Sequence, residues 1–368
     1  MKEKTYKGIL TYTPEGARYL DITVRDGRIS SLEESQEKSG KIAVPGFVDT
    51  HIHGFRGFGT EDCSKDSILA MSENLLEFGI TSFFPTIYTD VPDKMKRSIH
   101  ACYEAAGHEK GATIRGIHVE GPFISPKRIG AQNPLGRKDP TVEYFNELLE
   151  AGGGLVKAMT IAPEVAGVEE VAKRAKEEGV VLLCGHTDAN YEDVKRGCCC
   201  YGITHATHLF NAMKGLHHRE PGTVGGIMSQ PEMTCEIIGD GLHVHPAVTK
   251  WVIETKTPEK VCVITDSLKP TEQKEGPFYA NDVEVEMLNG LWVTKGRPEL
   301  IQGSALTLYR GFKNLISWGL PVEDAVMVTS TTPAKRYGLD DIGTIEVGKK
   351  ADIVFMDAEY NIIEVIKG

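Results

Sequence analysis

Residues 44–54 read Val44-Pro45-Gly46-Phe47-Val48-Asp49-Thr50-His51-Ile52-His53-Gly54. An apolar, strand-like run opens the stretch, and His51 and His53 close it with one residue between them. Alternate residues of an extended chain face the same side, so the two imidazoles point together from the strand end. Upstream, the first 45 residues look like strands. Tyr19-Leu20-Asp21-Ile22-Thr23-Val24 alternates apolar and polar, Asp26-Gly27 signals a tight hairpin, and residues 33–41 form a polar loop. Downstream the period changes. Short apolar runs at 46–51, 81–86, 114–120, 156–161, 180–185, 204–209, 234–238 and 261–265 alternate with longer helical stretches. The helix expected over 168–178 stops at Gly179, a residue that readily ends helices. Eight strands alternating with helices predict an α/β fold, a (β/α)8 TIM-like barrel over 46–340. No GxGxxG follows a first strand, which weighs against a doubly wound sheet. The tail from Gly343 to Phe355 is strand-like again. It is expected to pair with the N-terminal strands, so that residues 1–45 and 341–368 make a small β-sandwich domain from both chain ends.

The 368-residue chain is 40% hydrophobic and 25% charged, ordinary for a globular protein. A chain of this size buries about 75% of its unfolded surface and needs no disulfide staples. Its formal net charge of -11 repels phosphate backbones, which makes nucleic acid a poor partner. A single local arginine can still hold a small anion. No apolar run follows Met1-Lys2-Glu3-Lys4, so no signal peptide is expected, and no run of about 18 apolar residues marks a membrane span. The eight cysteines, Cys198-Cys199-Cys200 among them, lack paired CxxC spacing. They read as reduced thiols of a cytoplasmic protein, with the triple cysteine as local packing.

Barrel active sites lie at the C-terminal ends of the strands, so the residue types there carry the functional reading. His51 and His53 can hold a divalent transition metal, although a chance HxH is conceivable among twelve histidines. Gly116-Ile117-His118-Val119-Glu120-Gly121-Pro122 ends an apolar strand on a carboxylate, costly to bury without a partner. A metal would be that partner, and a salt bridge at the rim is the plainer alternative. His118 shares the strand face of Glu120 and reads as a supporting histidine rather than a ligand. His186 and His208 stand where two further strands give way to loop, while His205 is read as packed structurally. The last strand ends on Thr265-Asp266-Ser267. Asp266 there is an N-cap or, with a metal nearby, a group that takes a proton from water and returns it to a leaving amine. A bound ion lowers the pKa of water toward about 7. Arg219, in His217-His218-Arg219-Glu220-Pro221-Gly222, suits a phosphate, though an exposed loop arginine is often merely solvated. His243 follows the seventh strand, within reach of a substrate or as a loop histidine.

In this order the motifs resemble the N-acetylglucosamine-6-phosphate deacetylase family of the amidohydrolase superfamily, over nearly the whole chain. The Pro-Gly-Phe-Val-Asp-x-His-x-His start and the Gly-Thr-Ile-x-x-Gly-Lys-x-Ala-Asp tail are similar to the superfamily at large. His-Val-Glu-Gly-Pro-Phe, Gly-His-Thr, Thr-His-Leu-Phe-Asn-Ala-Met, Arg-Glu-Pro-Gly, Asp-Gly-x-His and Thr-Asp-Ser are similar to the deacetylases. The resemblance implies Glu120, His186 and His208 as principal metal ligands, His51 and His53 at a second metal position, and Asp266 as the acid/base. It implies substrate contacts at Asn211, Ala212, Arg219 and His243, and at Ile301, Gln302 and Gly303. Ala131 and Gln132 fall in a substrate loop where some members carry histidine at the position of Gln132, and glutamine cannot carry that charge. The implied cofactor is a divalent cation, zinc or iron, one or two per subunit. The implied substrate is an amino-sugar phosphate, and the implied assembly is a homodimer in which the arginine reaches a phosphate across the interface. Two other readings stay open: a cyclic-amide hydrolase or deaminase on the same barrel, and a barrel that only binds.

Overall fold

The computed structural model describes residues 3–368. Both chain ends meet in one sheet. β1 (Glu3–Thr13), β2 (Gly16–Arg25), β3 (Arg28–Glu34) and β4 (Ile42–Pro45) come from the N-terminal end. Asp26 and Gly27 both take positive φ, 48° and 77°, so the two-residue turn between β2 and β3 twists as a tight hairpin needs. The chain then enters the barrel at β5 (Phe47–Ile52) and proceeds through β6 (Ile80–Ile87), β7 (Ile117–Glu120), β8 (Val156–Ile161), β9 (Val181–Cys184), β10 (His205–Ala206), β11 (Cys235–Ile238) and β12 (Val261–Ile264).

Strands β5 to β10 pair in parallel, neighbour to neighbour, and β11 pairs with β12. Backbone bonds join the two groups: Leu209 N to Glu236 O at 2.8 Å on one side, and Asp266 N to His51 O at 2.9 Å on the other. The eight-stranded ring expected from the alternating sequence therefore closes. The third strand begins later than its apolar run suggests. Thr113–Ile114 pairs with β6, and the strand resumes at Ile117. A Cβ on Gly116, between the two, would come within 2.7 Å of Phe84 and Lys157, so only glycine allows the neighbouring strands to approach there.

A helix follows each barrel strand and lays its apolar stripe on the ring. Val168–Glu177 buries Val168, Val171, Ala172 and Ala175, the i, i+3, i+4, i+7 spacing of one helix face. Ser64, Thr141 and Asn190 cap the helices Lys65–Leu76, Val142–Ala151 and Tyr191–Tyr201 by accepting a backbone N–H in the first turn.

One element departs from the plain barrel reading. Between β12 and its helix Leu308–Ser317, the chain makes a four-stranded antiparallel sheet: β13 (Tyr279–Ala280), β14 (Val283–Leu288), β15 (Leu291–Thr294) and β16 (Arg297–Ser304). Asn289-Gly290, with φ of 51° and 88°, turns β14 into β15. The sheet has a small core of its own, Ala280, Val285 and Trp292, which packs on Leu268 and on Tyr88 of the barrel.

The tail returns as β17 (Ile353–Met356) and β18 (Ile362–Ile366). β17 runs antiparallel to β4, and the strand order is β18-β17-β4-β1-β2-β3. Ile29 N donates to Lys349 O at 3.0 Å and Ala351 N to Gly27 O at 2.8 Å. The far edge of the sheet thus touches the segment leading into β17, and the sheet curls around Ile9, Leu20, Ile22, Ile29, Ile353 and Phe355.

Candidate active site

The strand ends place the titratable groups. Glu120 is the last residue of β7, His51 lies in β5 with His53 just beyond it, and His186, His208 and Asp266 follow β9, β10 and β12. His186, His208 and Asp266 have φ of 45°, 26° and 51°, a left-handed conformation that costs a non-glycine residue about 1–3 kcal/mol. The chain therefore turns sharply where each of these side chains faces the barrel mouth.

Glu120 is the hub. Its Oε1 lies 3.0 Å from His186 Nε2 and 2.9 Å from His208 Nε2, and these two nitrogens are 3.2 Å apart. Around a tetrahedral ion with bonds of about 2.0–2.1 Å, neighbouring ligand atoms sit roughly 3.3 Å apart, so this trio fits a cation with little movement. A second group, His51, His53 and Asp266, also brings its ligand atoms within 4.8 Å of one another. His53 Nε2 is 3.4 Å from Asp266 Oδ1 and 3.1 Å from Glu120 Oε2. His51 Nε2 is buried without a hydrogen-bond partner, 3.6 Å from both Glu120 Oε1 and Asp266 Oδ1. An imidazole nitrogen left orphaned among carboxylates is what a metal ligand looks like without its metal.

Electrostatics point the same way. Burial works against charge on His51, yet the carboxylates of Glu120, Glu236 and Asp266 hold its pKa well above the ordinary histidine value. Burial likewise raises Glu120, but His51, His186 and His208 pull it well below the usual carboxylate range. Asp266 is lowered too, because hydrogen bonding to His53 and the nearby imidazoles outweigh its burial. The mouth is anionic enough to hold positive charge against desolvation, and a divalent cation meets that demand.

Glu120, His186, His208, His53 and Asp266 line a cavity of about 280 Å3, joined by Ala131, Gln132, Asn211, Ala212, His243, Ile301, Gln302 and Gly303. The expected residues therefore converge, with His51 just behind them. Arg219 does not line the cavity of its own chain; it is exposed, with Nη1 2.7 Å from His218 Nε2. Gln132 faces the cavity, but its amide is engaged by the protein. Nε2 donates to Glu120 Oε2 at 2.6 Å, and Oε1 accepts from Thr89 N at 2.7 Å. It therefore braces Glu120 with one of its two amide N–H groups. His118 is a supporting histidine: its nitrogens lie 3.2 Å from Thr50 O and 2.9 Å from Thr160 Oγ1. His205 is buried beside Thr234.

Three neighbours were not anticipated. Tyr88 stacks on His53, with ring centres 3.8 Å apart. Asp240 Oδ2 lies 2.6 Å from His243 Nδ1 and holds that ring. Glu236 lies behind His51. A carboxylate inside the apolar run Thr234-Cys235-Glu236-Ile237-Ile238 is the same signal that marks Glu120, and Asp240 precedes His243 by three residues. The segment 299–303 reaches the cavity because the inserted sheet folds over the mouth.

A closed parallel barrel whose mouth gathers imidazoles and carboxylates around candidate cation positions has the side chains a metal-dependent hydrolase needs. The chain belongs to the Amidohydrolase family, which it matches over residues 42–368. It is 33% identical to an N-acetylglucosamine-6-phosphate deacetylase from Bacillus subtilis (strain 168), over 93% of this chain and 90% of the relative. It is 27% identical to an N-acetylgalactosamine-6-phosphate deacetylase from Escherichia coli O157:H7, over 96% and 95%. The structure of a mutant N-acetyl-D-glucosamine-6-phosphate deacetylase from Mycobacterium smegmatis, in complex with N-acetyl-D-glucosamine-6-phosphate, superposes with a TM-score of 0.91 at 28% identity, covering 99% of this chain and 97% of that one. No helix among the described residues is long and apolar enough to cross a membrane.

Proposed function

We propose that this chain hydrolyses the acetamide of N-acetyl-D-glucosamine 6-phosphate, giving D-glucosamine 6-phosphate and acetate. The observation that carries the reading is the meeting of Glu120, His186 and His208 on one side of the cavity with Asp266 on the other. Glu120, His186 and His208 would hold one divalent cation, zinc or iron, and His51, His53 and Asp266 a second. When bound, such an ion supplies Lewis acidity for the carbonyl and makes water a nucleophile at neutral pH. Asp266 accepts the proton of the attacking water as its oxygen bonds to the acetamide carbon. It then delivers that proton to the sugar nitrogen as the C–N bond breaks, so acetate and a free amine leave. His243, held at Nδ1 by Asp240, keeps Nε2 for the substrate carbonyl. Asn211, Ala212 and residues 301–303 frame the sugar. Arg219, outside its own cavity, binds the phosphate of a partner subunit's substrate in a cytoplasmic homodimer.

The test is a panel of N-acetylated hexosamines with and without the 6-phosphate, read by free amine and acetate release. Acetate from the 6-phosphate substrate, lost on chelation and restored by zinc or iron(II), is expected. Ammonia release, or no turnover with metal bound, would overturn the proposal. The galacto epimer is the second reading, supported by the Escherichia coli relative, and the same panel separates the two by kcat/KM.

A further inference from the structure

Below the mouth, the barrel axis carries a layer of polar side chains that the reaction does not touch. Glu236 projects into it from β11 and is fully buried. Thr50 Oγ1 donates to Glu236 Oε1 at 2.8 Å, and Glu236 Oε2 lies 3.4 Å from His51 Nδ1. The opposite nitrogen of the same ring, Nε2, faces Glu120 and Asp266 and has no hydrogen-bond partner. The other candidate ligand imidazoles are backed differently. His53 Nδ1 lies 3.0 Å from Thr86 O, and His186 Nδ1 2.9 Å from Arg128 O. His208 Nδ1 has no partner. Among the four candidate ligand histidines, His51 is therefore the one backed by a carboxylate.

His51, His118 and Glu236 also come close enough together to suggest a cation of their own. Both nitrogens of His118 are engaged, by Thr50 O and Thr160 Oγ1, so that trio is a hydrogen-bonded brace and not a ligand set.

We propose that Glu236 is a positioning residue for the second cation position. Through Nδ1 it sets the tautomer and orientation of His51, so that Nε2 is the free ligand atom for an ion shared with His53 and Asp266. A carboxylate behind a ligating imidazole also makes the ring a stronger base toward metal, and losing such a partner typically weakens metal affinity about 10–100-fold. The Glu120–His186–His208 position is expected to be spared, because among the described residues no hydrogen bond or ion pair joins any of its three side chains to that carboxylate. This inference rests on the metal centre of the proposed function.

The experiment strips the purified protein by chelation and titrates it with zinc, reading heat and ions bound per chain, for the native chain, Glu236→Gln and Thr50→Val. The native chain is expected to take two ions. Glu236→Gln keeps the first at native affinity and binds the second about 10–100-fold more weakly. Thr50→Val, which removes only the brace on Oε1, weakens the same ion less and decides the matter if Glu236→Gln fails to fold. Equal second-ion affinity in native and variant, or equal weakening of both ions, overturns the inference. A native chain that takes a single ion overturns it as well while leaving the proposed function standing. A native chain that takes none overturns the proposed function itself.

Discussion

The barrel axis and the terminal sheet are both shielded from water, yet they are filled in opposite ways. The curled sheet closes on Ile9, Leu20, Ile22, Ile29, Ile353 and Phe355. The axis holds Asp49, Thr50, His51, His118, Glu120, Thr160, His205 and Glu236, all buried. Hydrocarbon packing needs only volume and shape, so the sheet core is stable by transfer from water. The axis must match each donor to an acceptor, because an unpaired polar group in a low dielectric is costly. Most of its groups are matched: Thr265 Oγ1 donates to Asp49 Oδ2 at 2.6 Å, and Thr160 meets both Thr207 and His118. The pairing fails at His205 Nε2 and at His51 Nε2, the latter in the same place where left-handed strand ends add local strain. The comparison teaches that the sheet carries stability and that the axis gives some up around a candidate cation site.

Four outcomes test that contrast, the largest first. Asp266→Asn should lower kcat about 10²–10⁴-fold, the range general acid–base catalysis contributes, with the ion of the Glu120–His186–His208 position still bound and the fold retained. Turnover close to native with metal bound would remove Asp266 from the reaction. Ile22→Ala should do the reverse. Ile22 is fully buried in the sheet core, so the truncation costs about 2–5 kcal/mol of stability, read by urea unfolding, while kcat per folded molecule stays unchanged. A matching loss of kcat would mean the two regions are coupled.

Asp49 offers a pH test of the axis. Burial lifts its carboxyl from 3.8 to about 7, against hydrogen bonds from Thr265 and the His51 amide. Above about pH 4 the unfolded chain has lost this proton and the folded chain still holds it, so stability falls as pH rises, by about 1.4 kcal/mol per unit at most. The contribution is whole below about pH 4 and gone once pH passes about 7. In chelated protein, the stability of the native chain relative to Asp49→Asn should decline through that window. A flat difference would show that Asp49 is ionised inside the barrel. Lys4→Ala marks the small end of the scale. It breaks the exposed pair with Glu364 at 3.0 Å and should change stability by only about 0–1 kcal/mol. A larger loss, by urea unfolding, would mean that the sheet edge depends on charge after all.

Much of this architecture is local information. The alternation of apolar runs with helical stretches marks all eight barrel strands, since each strand and each helix is patterned by its own burial. Asp26-Gly27 marks the hairpin because only certain residues accept positive φ there. The inserted sheet is the instructive exception. Its strands are mostly exposed on one face and bury few side chains, so periodicity is faint, and only Asn289-Gly290 betrays it.

At the site, what the sequence by itself determined is the inventory: a carboxylate or imidazole at the end of one apolar run after another, which physics rarely tolerates without a partner. That was enough to single out Glu120, His186, His208, His51, His53 and Asp266. Only the tertiary structure decided which of them meet and what stands behind each. Gln132 bracing Glu120, Tyr88 on His53 and Glu236 beneath His51 join residues from different strands and loops. Ring closure sets these contacts, and no spacing along the chain encodes them, because a side chain's neighbours across a barrel depend on register and strand tilt rather than on its own surroundings in sequence.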